Sequence, residues 1–320
     1  MSNEQLKGIH HITAMTSSAE KNYHFFTEVL GIRLVKKTVN QDDIQTYHTF
    51  FADDVASPGT DMTFFDFPNN PKGKAGTNSI SRSGFRVPSD EALTYWIDRF
   101  DQFHVKHEGI STLLGKKMIR FVDADEQAYQ LVSDEGQPGV EAGIPWKKGP
   151  VPAEYGIVGL GPVEITISYL SVMESWLVNV LGFQKVAVEG NKHLYEVGKG
   201  GNGGQVILAE DKDSVAAVPG YGEVHHVAFR VEDRAALDSW INKLAEMDLP
   251  NSGYVNRFYF ESLYVRVGHI LFEFATDGPG FMQDEPYEKL GEKLSLPPFL
   301  EPKRQEIERA VRPFDTSRKE

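Results

Sequence analysis

Two histidine doublets stand out among the residues of this chain that can do chemistry. The first lies in "GIHHITAM" at residues 8–15 and the second in "GEVHHVAFRVED" at residues 222–233, so two matching pairs hold four of the ten histidines. The chain has no cysteine, which excludes disulfides, thiolate nucleophiles and thiolate metal ligands. A metal ion would therefore be held by imidazole and carboxylate groups.

Strand alternation separates the two members of each doublet. Successive side chains of a strand face opposite sides, so adjacent histidines do not ordinarily reach the same metal ion. In the second doublet, His225 falls on the apolar face that packs under a helix, and His226 falls on the other face. In the first doublet, His11 falls on the open face. We therefore predict that His11 and His226 are the two ligands.

A carboxylate completes this set. In the strand "HILFEFATD", Glu273 lies opposite the face that carries the large apolar side chains. Two imidazoles and one carboxylate that face one cavity form the facial triad that suits non-haem Fe(II) and leaves positions open for substrate and dioxygen. The alternative is that each histidine bonds a neighbouring backbone group and that Glu273 pairs with Arg230 or Arg266.

The elements that would position these residues are repeated along the chain. The stretches "SGFRVPSDEALTYWIDRF" at 83–100 and "VAFRVEDRAALDSWINKL" at 227–244 share seven residues without a gap. Each copy is typical of an alternating strand, a helix cap and an amphipathic helix, and β-rich runs follow it. A weaker match links "GIHHITAM" with "GPVEITIS" at 161–168. The sequence therefore predicts four modules, two in each half.

Proline and glycine residues divide these modules into two halves. The pattern predicts an α+β fold with a first domain at 7–135, a linker at 136–156, a second domain at 157–280 and a proline-bounded helical tail at 281–320.

The second module acts as an internal control for the site, because it is a copy of the fourth. The aligned pairs, with the fourth module first, are His226 with Arg82, Glu273 with Gln130, Tyr264 with Phe121 and Arg257 with Leu114. In the third module, Glu164 stands where the first has His11. Residues kept only for packing have no reason to change together. We therefore predict one active barrel and one structural barrel.

The motifs "HHITAM", "HHVAF" and "FEFATDGPG" resemble the vicinal oxygen chelate superfamily, which includes glyoxalases, bleomycin resistance proteins and extradiol dioxygenases. The stretches "GIHHITAM", "VLGIRLVKKTVNQDD" and "RFYFESLYVR" resemble, more closely, the ring-cleaving dioxygenases that act on hydroquinones. The similarity runs from about Gly8 to Gly280. It implies four βαβββ modules that form two vicinal oxygen chelate domains, with the first module paired with the fourth and the second with the third.

The resemblance also implies the ligands and their neighbours. It implies that Fe(II) is bound by His11, His226 and Glu273, which agrees with the choice from strand alternation, and Mn(II) also suits this set. It implies catalytic or substrate-contacting roles for His10, Thr13, His225, Arg257 and Tyr264. Alternation alone does not bring His10 or His225 near the metal, so strand twist or a bulge must do so.

The function implied is an Fe(II)-dependent dioxygenase that opens a hydroquinone-type or catechol-type ring with O2. One alternative is a metal-dependent isomerase or lyase of glyoxalase type. Such sites commonly have a fourth protein ligand, and Asp66 in "FFDFPNN" is the one candidate for it. Another alternative is a protein that binds an aromatic drug. Such a protein needs no metal ligands.

Composition bears on partners and location. With 33 lysines and arginines against 46 aspartates and glutamates, the net charge of −13 would repel nucleic acid. The sequence has no apolar run that would span a membrane, and "MSNEQLKG" lacks the features of a signal peptide, so we expect a cytoplasmic protein. Its expected partners are an aromatic small molecule and O2, and a homo-oligomer is left open. The adjacent charges of Lys36 and Lys37 predict that these side chains lie in solvent at the edge of a strand.

Overall fold

The computed structural model describes residues 5–318, which form sixteen strands and five α-helices. The strands before the linker are β1 Ile9–Met15, β2 Arg33–Asn40, β3 Asp43–Ala52, β4 Asp61–Phe65, β5 Ser79–Val87, β6 His107–Leu113, β7 Lys116–Val122 and β8 Ala128–Ser133. Those after it are β9 Gly159–Ile167, β10 Gln184–Glu189, β11 Lys192–Glu196, β12 Gln205–Glu210, β13 Val224–Val231, β14 Val255–Asn256, β15 Phe260–Val267 and β16 Ile270–Pro279. The helices are α1 Ala19–His24, α2 Asp90–Gln102, α3 Leu170–Ser175, α4 Arg234–Glu246 and α5 Arg304–Ala310.

Each of the two eight-stranded sheets takes strands from both halves of the chain. The first sheet has the order β14-β15-β16-β13-β1-β4-β3-β2, and the second has the order β10-β11-β12-β9-β5-β8-β7-β6. The first module is thus paired with the fourth, and the second with the third, as predicted. At the centre of the first sheet, β1 runs antiparallel to β13. This pairing brings together two histidine doublets that lie 215 residues apart in sequence.

The capped helices bury their apolar sides against the sheets. The side chain of Ser89 caps α2 by accepting a hydrogen bond from the Ala92 amide, and Asp233 caps α4 in the same way. Trp240 of α4 is fully buried, and its ring lies 4.7 Å from that of Phe274. Because side chains alternate along β16, the neighbouring Glu273 faces away from the helix.

Two β-bulges interrupt the pairing of β1 with β13. His10 is the extra residue of one bulge, and His225 is the extra residue of the other. A bulge releases its extra residue from strict alternation and re-aims its side chain. The prediction that His225 packs on the apolar face is therefore wrong: its side chain lines the same cavity as His226.

The connecting segments add little regular structure. Between residues 136 and 156 the chain has one short 3-10 turn, at Ala153–Tyr155. The tail contains the short helix α5, and its remaining described residues form 3-10 turns and irregular chain. Within residues 5–318, every helix is too short or too polar to cross a membrane.

The tail buries the two lysines that the sequence predicts at a solvated edge. Lys36 is fully buried, and its ammonium forms ion pairs with Asp284, at 2.7 Å, and with Glu285. Tyr259, whose ring lies 4.8 Å from this ammonium, donates a hydrogen bond to Asp284 at 2.9 Å. Lys37 is also buried and lies over the ring of Phe314. The prediction was wrong because the partners come from residues some 250 positions later in the chain.

Substitution of Lys36 by methionine should lower the free energy of unfolding by about 3 kcal/mol, because it leaves two partly buried carboxylates without their cation. Urea denaturation measures this change. Lys117, whose pair with Asp90 is exposed, provides the control, and Lys117→Met should leave the free energy of unfolding almost unchanged. Equal losses in the two variants would show that the Lys36 contacts do not anchor the tail.

Candidate metal centre

Three buried side chains from adjacent strands converge at the centre of the first sheet. His11 Nε2 lies 3.0 Å from Glu273 Oε2, and His226 Nε2 lies 2.9 Å from the same oxygen. The two imidazole nitrogens are 3.2 Å apart. The second oxygen of Glu273 accepts a hydrogen bond from Ser262 at 2.6 Å, which fixes the carboxylate. These are the three residues that the sequence analysis selects as ligands, and they make up the one group of three or more metal-binding side chains that residues 5–318 bring together.

The spacing of the three atoms fits one metal ion. Two ligands at right angles, each about 2.1 Å from an ion, lie about 3.0 Å apart, whereas tetrahedral ligands at the same bond length lie about 3.4 Å apart. The observed separations of 2.9, 3.0 and 3.2 Å are short enough for the three atoms to bind the same ion. Two imidazoles and one carboxylate would then hold the ion as a facial triad does.

A hydrogen-bond chain behind the first ligand sets its tautomer. His10 Nε2 lies 3.0 Å from the carbonyl oxygen of Thr276, which can only accept, so this nitrogen carries the proton. Burial and the neighbouring His11 lower the pKa of His10 to about 3, so its Nδ1 is an acceptor. That Nδ1 lies 2.9 Å from Nδ1 of His11, which must therefore donate. With its proton on Nδ1, a neutral His11 would have the lone pair of Nε2 free to bind a metal ion.

The second doublet repeats this contact. His225 Nδ1 lies 2.7 Å from His226 Nδ1, so a proton on the latter atom would leave Nε2 of His226 free for an ion. Burial lowers the pKa of His226 and keeps the ring neutral. Burial opposes ionisation of Glu273, but the two imidazoles facing its Oε2 outweigh burial and hold its pKa well below the ordinary value. Neutral imidazole and ionised carboxylate are the forms that bind metal ions.

His10 and His225, the extra residues of the two bulges, have different surroundings. His10 lies behind His11, with its ring 5.4 Å from that of Phe260, and it does not line the cavity. His225 is exposed to the cavity, and its ring lies 5.6 Å from that of Phe65. The bulges therefore bring both residues near the triad, as the resemblance requires, but only His225 lines the space in front of it.

A cavity of about 330 Å³ opens in front of the triad. Six phenylalanine and tyrosine side chains contribute to its wall: Phe50, Phe65, Phe67, Tyr259, Phe260 and Tyr264. The triad forms one wall, so a planar ring in this cavity would have its polar substituents near the three donor atoms. An apolar cavity with a few convergent polar groups is typical of a small-molecule site.

Arg257 and Tyr264 meet at this cavity. Arg257 Nε donates to the Tyr264 hydroxyl at 3.1 Å, and its guanidinium pairs with Asp42 at 3.0 Å. Gln41 donates to the Arg257 carbonyl at 2.8 Å, so the β2–β3 turn contacts the loop that follows β14. Burial and the nearby Glu273 raise the pKa of Tyr264, which keeps its hydroxyl protonated. The site thus contains a hydrogen-bond donor and a cation beside the triad.

The sequence analysis missed His48 and Thr63. His48 lines the cavity between the rings of Phe50 and Phe65, at 4.0 and 4.4 Å, and its Nε2 lies 3.0 Å from the Thr63 hydroxyl. Alternation along "TYHTFF" puts His48 on the same face as Phe50, which was the available signal. The sequence does not show which strand pairs with this one. Alternation alone therefore could not place His48 near the triad.

Asp66 does not join the triad. Its carboxylate accepts a hydrogen bond from the Tyr47 amide at 2.7 Å and pairs with Arg312 of the tail at 2.8 Å. It is therefore committed to anchoring the tail. Arg230 and Arg266 do not pair with Glu273 either, since Arg230 binds Asp277 and Arg266 donates to the His269 carbonyl.

The second sheet replaces the metal-binding atoms with internal contacts. Glu164 pairs with Lys192 at 2.5 Å and with Arg120 at 3.3 Å. Gln130 donates to the Pro162 carbonyl at 2.8 Å, and Arg82 donates to that of Tyr129 at 3.0 Å. Strand register pairs Arg120 with Gln130 as it pairs Tyr264 with Glu273. The counterpart of Tyr264 is therefore Arg120, one residue before the Phe121 of the sequence alignment.

The model of the Glyoxalase/Bleomycin resistance protein/Dioxygenase superfamily matches this chain at residues 8–126 and 159–281. The chain belongs to this superfamily. The relation to individual members extends well beyond these segments. The "Putative ring-cleaving dioxygenase MhqA" of Bacillus subtilis (strain 168) is 44% identical over 316 residues, which cover 97% of this chain and 99% of that protein.

Two further proteins are similar to this chain over nearly its whole length. The chlorohydroquinone/hydroquinone 1,2-dioxygenase of Sphingobium indicum is 32% identical over 317 residues, which cover 96% of this chain and 97% of that protein. The crystal structure of a "putative dioxygenase" from Bacillus subtilis subsp. subtilis str. 168 superposes with a TM-score of 0.89 at 33% identity and covers 98% of both chains. The four-module architecture, including the tail, is thus common to this chain and that structure.

Replacement of His10 by phenylalanine should free His11 to adopt the Nε2–H tautomer, because the acceptor for its Nδ1–H is lost. Nitrogen-15 NMR of the metal-free protein reports this change directly. The affinity for Mn(II) should fall by about 10- to 100-fold, as measured by calorimetry. His24→Phe is the control, since His24 pairs only with Glu28 on the surface. An unchanged His11 tautomer in His10→Phe would contradict the hydrogen-bond chain.

Proposed function

We propose that this protein is an Fe(II)-dependent ring-cleaving dioxygenase that opens a hydroquinone-type aromatic ring with O2. The observation that carries the proposal is the convergence of two imidazoles and one carboxylate on a cavity with aromatic side chains in its wall. A facial triad leaves positions for both substrate and dioxygen. The similarity to a hydroquinone 1,2-dioxygenase over 96% of the chain supports the choice of substrate class.

His11, His226 and Glu273 would hold the metal ion. When bound, the ion orients the ring and dioxygen and passes electron density between two reactants that react poorly on their own. The same three ligands also suit Mn(II), so the identity of the bound metal has to be measured by metal analysis. Because Glu273 neutralises one charge of a divalent ion, the site retains one positive charge, which suits a ring hydroxyl that has lost its proton.

The residues around the cavity would bind and orient the ring. The phenylalanine side chains exclude water and hold its faces, while Tyr264 donates a hydrogen bond to a ring oxygen. Arg257 fixes the Tyr264 hydroxyl and adds a positive charge at the same end of the cavity. His225 would contact the ring from its place beside His226, and His10 supports His11 from behind.

The contacts favour this function over the two alternatives. An isomerase of glyoxalase type would use a fourth protein ligand, and Asp66 is held instead by Arg312. A drug-binding protein would have no use for three metal-binding side chains in contact with one another. Both alternatives nevertheless make distinct predictions in the same assay.

Substitution of His226 by alanine or of Glu273 by glutamine should abolish metal retention and oxygen uptake together, because each removes one of three ligands. Oxygen-electrode traces of the iron-loaded protein with a panel of hydroquinones and catechols measure uptake, and metal analysis after gel filtration measures retention. Gln130→Met changes the counterpart of Glu273 in the second sheet and should leave uptake and metal content at the wild-type level.

The outcomes separate the three functions. Oxygen consumption in step with loss of the ring supports the dioxygenase. Turnover of substrate without oxygen consumption would identify an isomerase or lyase, and tight binding of aromatic ligands by metal-free protein without turnover would identify a binding protein. A Glu273→Gln variant with full oxygen uptake would refute the triad as the reactive centre.

A further inference from the structure

The two edges of the first sheet meet at the rim of the cavity. β2 is the outermost strand at one edge of this sheet, and β14 is the outermost strand at the other. Gln41 and Asp42 form the turn between β2 and β3, and Arg257 directly follows β14. Gln41 Nε2 donates to the Arg257 carbonyl at 2.8 Å, and Arg257 Nη2 donates to Asp42 Oδ2 at 3.0 Å. The two edges are therefore joined by three residues, all of which line the cavity.

This contact lies between solvent and the triad. The side chain of Asp42 is 72% exposed and that of Arg257 is 21% exposed, whereas the three triad side chains are buried. On its inner side, the Arg257 guanidinium donates from Nε to the Tyr264 hydroxyl at 3.1 Å. The guanidinium is planar and rigid, so the direction of its Nη2–H fixes that of its Nε–H. Asp42 at the rim and Tyr264 inside the cavity therefore bind one rigid group.

The second sheet has the same contact between its edges, without the charged side chain. Its outermost strands are β10 and β6. Glu189, the last residue of β10, accepts a hydrogen bond at 2.6 Å from the backbone amide of Leu114 in the β6–β7 turn. Leu114 is the residue that aligns with Arg257. The fold thus joins the sheet edges in both sheets, but in the first sheet the joining side chain also contacts a group inside the cavity.

We propose that Gln41 and Asp42 are positioning residues that hold Arg257 at the rim and thereby place the Tyr264 hydroxyl for a bound ring. Gln41 fixes the backbone of Arg257, and Asp42 fixes its guanidinium. The Tyr264 oxygen accepts from Arg257, so the hydroxyl can donate its hydrogen to a ring oxygen. This role rests on the proposed function, because that function supplies the ring oxygen.

The exposure of Asp42 makes this contact reversible. An exposed ion pair contributes little to the stability of a fold and is weakened by salt. The pair can therefore open when a ring enters the cavity and form again behind it.

The test measures oxygen uptake by the iron-loaded protein with hydroquinone. Asp42→Asn should lower kcat/KM by about two- to fivefold, the effect expected for loss of an exposed ion pair. Asp42→Glu keeps the charge and should restore most of this loss. Raising the ionic strength from about 0.01 M to about 1 M should lower kcat/KM of the wild-type protein toward that of Asp42→Asn, and should leave Asp42→Asn itself unchanged.

Two controls separate positioning from a general effect on the turn. Glu189→Gln weakens the equivalent contact in the second sheet and should leave kcat/KM and its salt dependence at the wild-type level. In the background of Arg257→Leu, Asp42→Asn should cause no further loss, because its partner is already gone. An equal loss from Asp42→Asn in both backgrounds, or wild-type kcat/KM and salt dependence in Asp42→Asn, would overturn the proposal.

A second measurement does not depend on turnover. Nitrogen-15 NMR of the protein without metal or substrate follows hydrogen exchange of the Arg257 Nε–H, which should be about two- to fivefold faster in Asp42→Asn because the guanidinium is no longer held on Tyr264. If the wild-type protein consumes no oxygen with any hydroquinone or catechol, the proposed function fails, and this exchange rate alone decides whether Asp42 positions Arg257. Unchanged exchange in Asp42→Asn would overturn the positioning role in either case.

Discussion

The structure depends on the contacts of His11 Nε2 and His226 Nε2 with Glu273 Oε2, three buried atoms within 3.2 Å of one another. A buried carboxylate needs a compensating positive charge or hydrogen-bond donor, which a metal ion or an imidazole N–H supplies. The hydrogen bonds around the site maintain this arrangement. The Thr276 carbonyl orders His10, His10 orders His11, and Ser262 holds the carboxylate. These contacts hold the imidazole and carboxylate groups in the positions from which they would bind a cation.

The sheet topology explains why such a cluster can form between distant parts of the chain. Because β1 pairs with β13, the first ligand of the chain lies beside the second, and β16 on the other side of β13 supplies the third. The second sheet has the same architecture but stabilises its centre with the pairs of Glu164 to Lys192 and Arg120. The fold therefore does not require a metal ion, since the same layers are stable with ion pairs in its place. The three metal-binding residues are therefore specific to the first sheet and are not a feature of the fold that both sheets share.

Much of this site could be predicted from the sequence because its residues lie on regular strands within a repeat. Alternation selected His11, His226 and Glu273, and the repeat predicted both the α+β modules and a second centre without these residues. Alternation failed at His225, where a bulge changes the direction of the side chain. It also failed at Lys36, whose partners lie in the tail, because nothing local to β2 indicates that the tail returns to it. His48 and Thr63 were missed for a related reason: the hydrogen bond between them joins two strands and depends on their register, which a single strand does not reveal.

The tail has a larger role than its short helix suggests. Arg312 pairs with Asp66, the carboxylate that the sequence offered as a fourth ligand, and Asp284 accepts a hydrogen bond from Tyr259 in the wall of the cavity. The tail thus supports the wall of the site, although none of its residues belongs to the triad.

The most direct test of the central claim is anomalous X-ray scattering at the iron edge from crystals of protein prepared with Fe(II) in the absence of oxygen. The account predicts a single strong peak about 2.1 Å from His11 Nε2, His226 Nε2 and Glu273 Oε2, and none near Arg82, Gln130 and Glu164 in the second sheet. Absence of a peak between the three ligand atoms, or a peak of equal height in the second sheet, would contradict it.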